Sequence, residues 1–148
     1  MVWKPNVTVA AIAERAGEFL MVEERTNDGL KINQPAGHLE PEESLIEASV
    51  REALEETAYD FVPEYLVGVY RWRKSGTKTI YLRFAFAGRV GELHAGRELD
   101  KSIVRPLWLK ADEIKSTRER HRSPLVLRCL EDYLQGARYP LALLVHFD

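Results

Sequence analysis

The stretch that decides the fold is Gly37–Tyr59, which reads Gly-His-Leu-Glu-Pro-Glu-Glu-Ser-Leu-Ile-Glu-Ala-Ser-Val-Arg-Glu-Ala-Leu-Glu-Glu-Thr-Ala-Tyr. Apolar residues recur across Leu45–Leu54 at a spacing typical of an amphipathic helix. Pro41 and its acidic neighbours suit a helix N-terminus, because carboxylates there face the positive end of the helix dipole. We therefore predict a helix with its N-terminus at about Pro41 and its end near Thr57-Ala58.

Three carboxylates of this helix are predicted to lie close together. Glu52, Glu55 and Glu56 stand at positions i, i+3 and i+4, which places all three on one face within a single turn. Like charges at this spacing repel one another and destabilise the bare helix. A hard divalent cation such as Mg²⁺ or Mn²⁺ would offset that repulsion, because such ions bind oxygen ligands.

Neighbouring residues fit such a site. Arg51 lies four residues before Glu55, so its guanidinium could clamp the carboxylates and hold their rotamers. Glu43 lies eight residues before Arg51, two turns away on roughly the same face. Gly37 ends an extended piece before the helix, where its backbone carbonyl could approach a cation closely.

The residues around this helix predict a mixed sheet with helices in a single domain covering residues 1–148. The first two strands are expected to form an antiparallel hairpin, and the predicted order is β-β-(β)-α-β-β-β-α-α. Strands are predicted at Val7–Ala13, Phe19–Glu24, Lys31–Gln34, Tyr65–Trp72, Ile80–Ala87 and Val104–Leu109, and later helices at Ala111–Ile114 and Ser123–Leu134.

Composition excludes several classes of protein. The 148 residues carry 21 Lys+Arg and 23 Asp+Glu, so the net charge of −2 argues against a stable nucleic-acid partner. The only cysteine, Cys129, excludes an internal disulfide scaffold. The N-terminus lacks the apolar segment of a signal peptide, and no apolar run is long enough to span a membrane. We expect a cytoplasmic protein that does not bind membranes.

The spacing resembles the signature of the Nudix hydrolases, G-x5-E-x7-R-E-U-x-E-E-x-G-U, in which U is a bulky apolar residue. Ala53 and Ala58 depart from it, at a bulky position and at the second glycine. If the chain needs a positive φ at Ala58, that alanine costs about 1 kcal/mol. The six main positions are matched by Gly37, Glu43, Arg51, Glu52, Glu55 and Glu56.

The resemblance implies a Nudix-type α/β/α sandwich, an α+β fold, that hydrolyses phosphoanhydrides with Mg²⁺ (or Mn²⁺). By matching positions, Glu52, Glu55 and Glu56 would bind the metal, with the Gly37 carbonyl as a possible fourth ligand. One of the glutamates would also act as general base, with Glu52 the first candidate. Arg51 would orient Glu43 and the metal-binding carboxylates. Together with Glu52, Glu55 and Glu56, Arg51 and Glu43 make up the set of catalytic candidates.

A closer resemblance points to a group within this family. Asn33–Glu40, Arg122–Leu125 and the segment from Gly136 to Leu141 look like the NudJ-type bacterial Nudix phosphatases. Those proteins hydrolyse nucleoside di- and triphosphates and the pyrophosphate of hydroxymethylpyrimidine. The resemblance therefore implies a small phosphorylated substrate.

Most candidate substrate-binding residues lie on or at the ends of the strands that come after the helix. Basic side chains there could bind phosphate oxygens, and a tryptophan among them could stack on a heterocycle. Asn33 and Gln34 could hydrogen-bond a base edge, and Glu98 or Asp100 could add a metal ligand or a base. Each basic residue, taken singly, could also be an ordinary exposed charge at a strand end, and the tryptophan could also simply pack against the sheet. The group comprises Arg71, Trp72, Arg73, Lys74 and Arg83.

Other functions stay open at this point. The same chemistry could act on ADP-ribose, a dinucleoside polyphosphate or the 5′ triphosphate of RNA. A non-catalytic nucleotide-sensing module would be expected to lack at least one helix carboxylate, and none is missing. A Ca²⁺-binding module would need a D-x-D-x-D-G loop, which the sequence lacks. The sequence does not determine the oligomeric state.

Overall fold

The computed structural model describes residues 1–148. The helices are α1 (Leu45–Thr57), α2 (Ala111–Ser116) and α3 (Leu125–Leu134). The strands are β1 (Asn6–Arg15), β2 (Glu18–Thr26), β3 (Gly29–Asn33), β4 (Ala36–His38), β5 (Tyr59–Arg73), β6 (Ile80–Leu93) and β7 (Ile103–Lys110).

The seven strands form one mixed sheet with two parts. One part has the order β4-β1-β6-β5, in which β1 and β6 run parallel and the other neighbours are antiparallel. The second part is the antiparallel set β3-β2-β7. The predicted β1–β2 hairpin is confirmed only next to its turn, where Glu14 pairs with Phe19 and Arg15 with Glu18. Beyond those pairs, each strand continues into its own part of the sheet.

Alternation along β1 divides the core into two layers. Val9 and Ala11 pack in a cluster that includes residues of α1, whereas Ala10 and Ile12 pack in a cluster that includes residues of α2 and α3. Successive side chains of a strand point to opposite faces, so both faces of the sheet are covered. The predicted α/β/α arrangement is thereby confirmed.

Helix α1 begins four residues later than expected, so the predicted N-terminus at Pro41 is wrong. Ser44 is the N-cap and forms a capping box: its side chain accepts a hydrogen bond from Glu47 N, and the Glu47 side chain accepts one from Ser44 N. This reciprocal pair satisfies two free backbone donors at the start of the helix, whereas Glu43 of the acidic run accepts a hydrogen bond from Glu40 N in the preceding loop. The C-terminus lies where it was predicted, with Ala58 in the left-handed region at φ 64°.

The strands after α1 are longer than the sequence suggested. β5 begins directly at Tyr59, and its pairing with β6 is interrupted by three irregularities, one of them at Pro63. The predicted strand started only at Tyr65, and the irregularity at Pro63 fits a proline, which cannot donate a ladder hydrogen bond. The short strand β4 was not predicted; it pairs with β1 and holds the chain just before α1.

Candidate active site

The three helix carboxylates lie on the face of α1 that packs near β4. Glu52 and Glu56 are buried, and Glu55 is half-buried. Backbone Ala36 N, in β4, donates a hydrogen bond to Glu56 Oε1 at 2.9 Å. The helical spacing and the short strand together therefore collect these carboxylates at one place.

A fourth carboxylate approaches from the loop between β6 and β7. Carboxylate oxygens of Glu52, Glu55 and Asp100 all lie within 4.8 Å of one another. The loop is fixed to the helix because Asp100 N donates a hydrogen bond to Glu55 O at 3.0 Å. Of the two loop candidates, Asp100 lines the same cavity as the glutamates and Glu98 does not.

Gly37 lies against the carboxylate of Glu52. A Cβ atom at Gly37 would be 2.2 Å from Glu52 Cδ and 2.3 and 2.4 Å from its two oxygens. No side chain fits at those distances, so the glycine is needed for the close approach of the Glu52 carboxylate to the backbone of β4.

Arg51 connects the carboxylates of this site. Its Nε and Nη2 donate to both oxygens of Glu43, at 2.8 and 2.6 Å. Its Nη1 donates to Glu52 Oε1 at 2.8 Å and to Glu55 Oε2 at 3.1 Å, and Nη2 also donates to the His38 carbonyl at 2.9 Å. A planar guanidinium with five donors fixes all of these groups at once, which a lysine cannot do.

Burial and mutual repulsion change the acidity of the glutamates. Burial raises the pKa of Glu56 to about 9, with further increases from Glu52, Glu24 and Asp100. Burial also raises the pKa of Glu52, although Arg51 opposes that shift. The site therefore contains more negative charge than Arg51 can balance, as expected of carboxylates that hold a cation.

A cavity of about 450 Å³ opens beside these carboxylates. Trp72, Lys74 and Arg83 of the predicted substrate-binding residues line it. Arg71 and Arg73 do not: both are exposed on the opposite side of β5 from Trp72, because side chains alternate along a strand. Arg71 instead borders a shallow groove next to α3.

Arg83, which reaches the cavity wall, and Gln34, which does not, belong to one buried hydrogen-bond network. Arg83 Nη1 donates to Gln34 Oε1 at 3.1 Å, and Arg83 Nη2 donates to Asn33 Oδ1 at 3.0 Å. Gln34 Nε2 donates to the Val126 carbonyl at 2.9 Å. Gln34 is 2% exposed and does not line the cavity, whereas Asn33 does. Gln34 therefore supports the fold through its hydrogen bonds and does not reach the cavity, whereas Asn33 does.

The residues of the cavity wall that sequence reasoning missed include Glu24, Tyr81 and Arg122. Tyr81 is the cross-strand partner of Trp72, and the two rings stack with centroids 5.6 Å apart. A signal existed for Arg122, which lies in one of the segments typical of the Nudix relatives. Glu24 sits at the end of a predicted strand and is placed by the pairing of β2 with both β3 and β7, where a register shift falls between Glu23 and Glu24.

The fold and the site together define a class of protein. In this class, one arginine orders the carboxylates of a helix that lies beside a cavity at the edge of a mixed sheet. A NUDIX domain profile matches residues 3–129. The chain belongs to the Nudix family and is a Nudix hydrolase, a class that generally uses divalent metal ions and acts on small phosphorylated substrates.

Individual relatives cover almost the whole chain. Phosphatase NudJ of Escherichia coli (strain K12) is 39% identical over 146 residues, which span 99% of this chain and 94% of the relative. A NUDIX hydrolase from Nitrosomonas europaea is 50% identical, with a TM-score of 0.94 over 97% of this chain and 98% of that one. The MutT protein from Methanosarcina mazei Go1 is 24% identical, with a TM-score of 0.71 over 93% and 100%, and shares the fold.

These matches confirm the predicted family and the likeness to NudJ-type phosphatases. None of the helices is both long enough and apolar enough to cross a membrane.

Proposed function

We propose that this Nudix hydrolase cleaves phosphoanhydride bonds of small nucleoside di- or triphosphates or of pyrimidine pyrophosphates, with Mg²⁺ (or Mn²⁺). The observation that carries the proposal is the convergence of Glu52, Glu55 and Asp100 within 4.8 Å at the wall of the cavity. The activity of the NudJ relative, named a phosphatase, supports the same reaction class.

The residues present fit a hard divalent cation. The donors that converge are carboxylate oxygens, with neither cysteine nor histidine in this group, and Mg²⁺ and Mn²⁺ prefer such ligands. Glu52, Glu55 and Glu56 would hold the ion, with Asp100 and the Gly37 carbonyl as further oxygens. When bound, the ion supplies charge neutralisation at the phosphates and acidifies a water molecule.

The other residues of the site position these groups and the substrate. Arg51 fixes the rotamers of Glu52 and Glu55 and is itself held by Glu43, so it acts without touching substrate. A glutamate that is not fully occupied as a ligand takes the proton of the attacking water, and Glu52 is our first candidate.

The cavity wall suits the heterocycle and the phosphates of a small substrate. The stacked pair of Trp72 and Tyr81 offers an aromatic surface to a base. Lys74 and Arg122 provide cationic groups for phosphate oxygens, and Asn33 provides a polar contact for the base edge. Arg83 holds Asn33 in place from behind.

A product-release screen tests the proposal. Phosphate and pyrophosphate release would be measured with Mg²⁺ over nucleoside di- and triphosphates, hydroxymethylpyrimidine pyrophosphate, ADP-ribose and a dinucleoside polyphosphate. We expect turnover of nucleoside di- and triphosphates and of hydroxymethylpyrimidine pyrophosphate. In Glu56→Gln this turnover should fall by about 10²-fold or more. Turnover of ADP-ribose or the dinucleoside polyphosphate alone would show that the proposed substrate class is wrong, while the reaction type would stand. Absence of turnover in a folded, Mg²⁺-binding protein would instead support a sensor.

A further inference from the structure

A second group of metal-ligating side chains lies outside the cavity, where β5 begins and β6 ends. Asp60, Glu92 and His94 each place one ligand atom within 4.8 Å of the others. None of the three lines the cavity that holds Glu52 and Glu56. The group is therefore separate from the candidate active site, and its chemistry differs because it contains an imidazole.

An irregularity in the β5–β6 pairing brings these side chains together. The register shifts around Asp60, which alone faces both Gly91 and Glu92 of β6. Such a bulge re-aims side chains relative to the regular alternation of a strand. Just after β6, His94 N donates a hydrogen bond to Ala58 O at 2.8 Å, which fixes the third residue of the group. The backbone itself thus holds all three positions.

The spacing of the ligand atoms suits a transition-metal ion. His94 Nε2 lies 2.9 Å from Asp60 Oδ1, so the two atoms share a proton. Zn²⁺ binds histidine nitrogen and carboxylate oxygen at about 2.0–2.2 Å, which separates two ligand atoms of a tetrahedral site by about 3.4 Å. An ion can therefore replace the shared proton after a small movement. The side chains are 42% (His94) and 46% (Asp60) exposed, so water can complete the coordination.

The electrostatic surroundings favour a cation. With a neutral imidazole the group carries two negative charges, and neither Asp60 nor Glu92 forms an ion pair with a lysine or arginine. The carbonyl that accepts from His94 belongs to Ala58, the C-cap of α1, and the last turn of this helix contains no basic residue. The negative end of the helix dipole is therefore available to attract a cation.

The imidazole decides which ion is preferred. Mg²⁺ prefers oxygen ligands, as in the carboxylate group of Glu52, Glu55 and Asp100. Imidazole nitrogen suits Zn²⁺, which also accepts carboxylate oxygens and commonly takes three protein ligands and a water molecule. The two groups on this chain therefore differ in the ion that they select.

We propose that Asp60, Glu92 and His94 form a second metal site, which binds one Zn²⁺ ion independently of the catalytic carboxylates. The ion joins the start of β5 to the end of β6 and to the loop that carries Asp100 further along. Its binding stabilises the fold and takes no part in hydrolysis.

Titration calorimetry with Zn²⁺ in excess Mg²⁺ tests the proposal, because Mg²⁺ competes for the catalytic carboxylates. Glu92→Gln and His94→Gln should each raise the Kd for Zn²⁺ by about 10-fold or more, since even outer partners of metal ligands are worth about 10–100-fold. Zn²⁺ should also raise the Tm of the wild-type protein more than that of either variant. Glu92 is exposed and has no hydrogen-bond partner in the protein, so Glu92→Gln should keep the metal-free Tm.

His146→Gln is the matched control. His146 Nε2 lies 3.0 Å from Asp148 Oδ2, much as His94 lies beside Asp60, but no third ligand joins that pair. Its replacement should leave the Kd for Zn²⁺ unchanged. In NMR spectra of the wild-type protein, Zn²⁺ should shift the ring signals of His94 and not those of His146.

Three results would overturn the proposal. The first is no Zn²⁺ binding by the wild-type protein in excess Mg²⁺, and the second is an equal Kd for the wild-type protein, Glu92→Gln and His94→Gln. The third is an equal loss of affinity in His146→Gln. Hydrolysis with Mg²⁺ should be unaltered in Glu92→Gln, and a loss of that activity would contradict the separation of the two sites.

Discussion

Arg51 holds both oxygens of Glu43, with Nε to Oε2 at 2.8 Å and Nη2 to Oε1 at 2.6 Å. Glu43 lies before the first turn of α1 and Arg51 lies in its middle, so this pair ties the loop to the helix. The same guanidinium also contacts Glu52 and Glu55. Order in the loop and order among the carboxylates therefore depend on one side chain.

Arg51→Lys should weaken metal binding without removing the positive charge. A lysine has one ammonium group and cannot hold both oxygens of Glu43 while contacting Glu52 and Glu55. Loss of such an orienting contact typically costs about 10–100-fold in metal affinity. Isothermal titration with Mg²⁺ would measure the change in Kd. Arg89→Lys is the control, because its ion pair with Glu64 is exposed, and an unaltered Kd in both variants would contradict the orienting role.

Gly37→Ala should displace the carboxylate of Glu52. The added Cβ would lie 2.2 Å from Glu52 Cδ, so either the side chain or β4 must move. We expect a loss of about 1–3 kcal/mol in unfolding free energy, as for other overpacked sites, together with weaker Mg²⁺ binding. Urea denaturation would measure the first effect. Gly91→Ala is a matched control, because its Cβ would meet nothing closer than 3.4 Å; equal effects of the two alanines would refute the steric argument.

Asp100→Asn should reduce Mg²⁺ affinity and turnover, and Glu98→Gln should not. Asp100 is grouped with Glu52 and Glu55, whereas Glu98 lies on the same loop outside the cavity. We expect at least about a 10-fold loss for the asparagine variant, because a neutral amide is a weaker ligand for a hard cation. Mg²⁺ titrations of the initial rate would compare the two. If Glu98→Gln proved the more damaging change, the loop would have to be arranged differently from this structure.

The stability of the metal-free protein should fall as pH rises. Burial raises the folded-state pKa of Glu56 from its usual 4.5 to about 9. The folded protein therefore binds this proton more tightly than the unfolded chain, so the stabilisation is complete below about pH 4.5 and is lost as pH approaches about 9. We expect Tm without metal to decrease between about pH 6 and about pH 9, as differential scanning calorimetry would show.

Mg²⁺ should reverse this trend, because ionised carboxylates bind the ion and their protons are released. The increase in Tm on adding Mg²⁺ should therefore grow with pH. Glu56→Gln cannot lose a proton, so its metal-free Tm should depend less on pH. A wild-type Tm that rises with pH in the absence of metal would contradict the raised pKa.

The sequence was most informative where chemistry and local spacing coincide. The helical spacing of Glu52, Glu55 and Glu56 placed them on one face, and the offset of Arg51 from Glu43 anticipated their contact. Such relations depend on a single helix, whose geometry is known in advance. The end of α1 was located for the same reason, although its C-cap is an alanine, Ala58, held at φ 64°.

What the sequence did not reveal depends on contacts between distant segments. Trp72 was assigned together with Arg71 and Arg73, but strand alternation puts only Trp72 at the cavity. Arg83 looked like a phosphate-binding residue, yet it is 5% exposed and engaged with Asn33. Glu24 reaches the wall through the register of β2 with its neighbours β3 and β7, which no local pattern specifies.

The position of β1 in the sheet has a consequence for how the protein folds. β1 lies between β4 and β6, and its parallel partner β6 comes after α1 and β5 in the chain. During synthesis the N-terminal half emerges first, with Gly37 and all three helix glutamates, but without the strand that supports β1. Closing this long-range parallel pair is slow compared with forming a helix. The capacity to bind a metal ion should therefore appear late in folding, after most of the chain has left the ribosome.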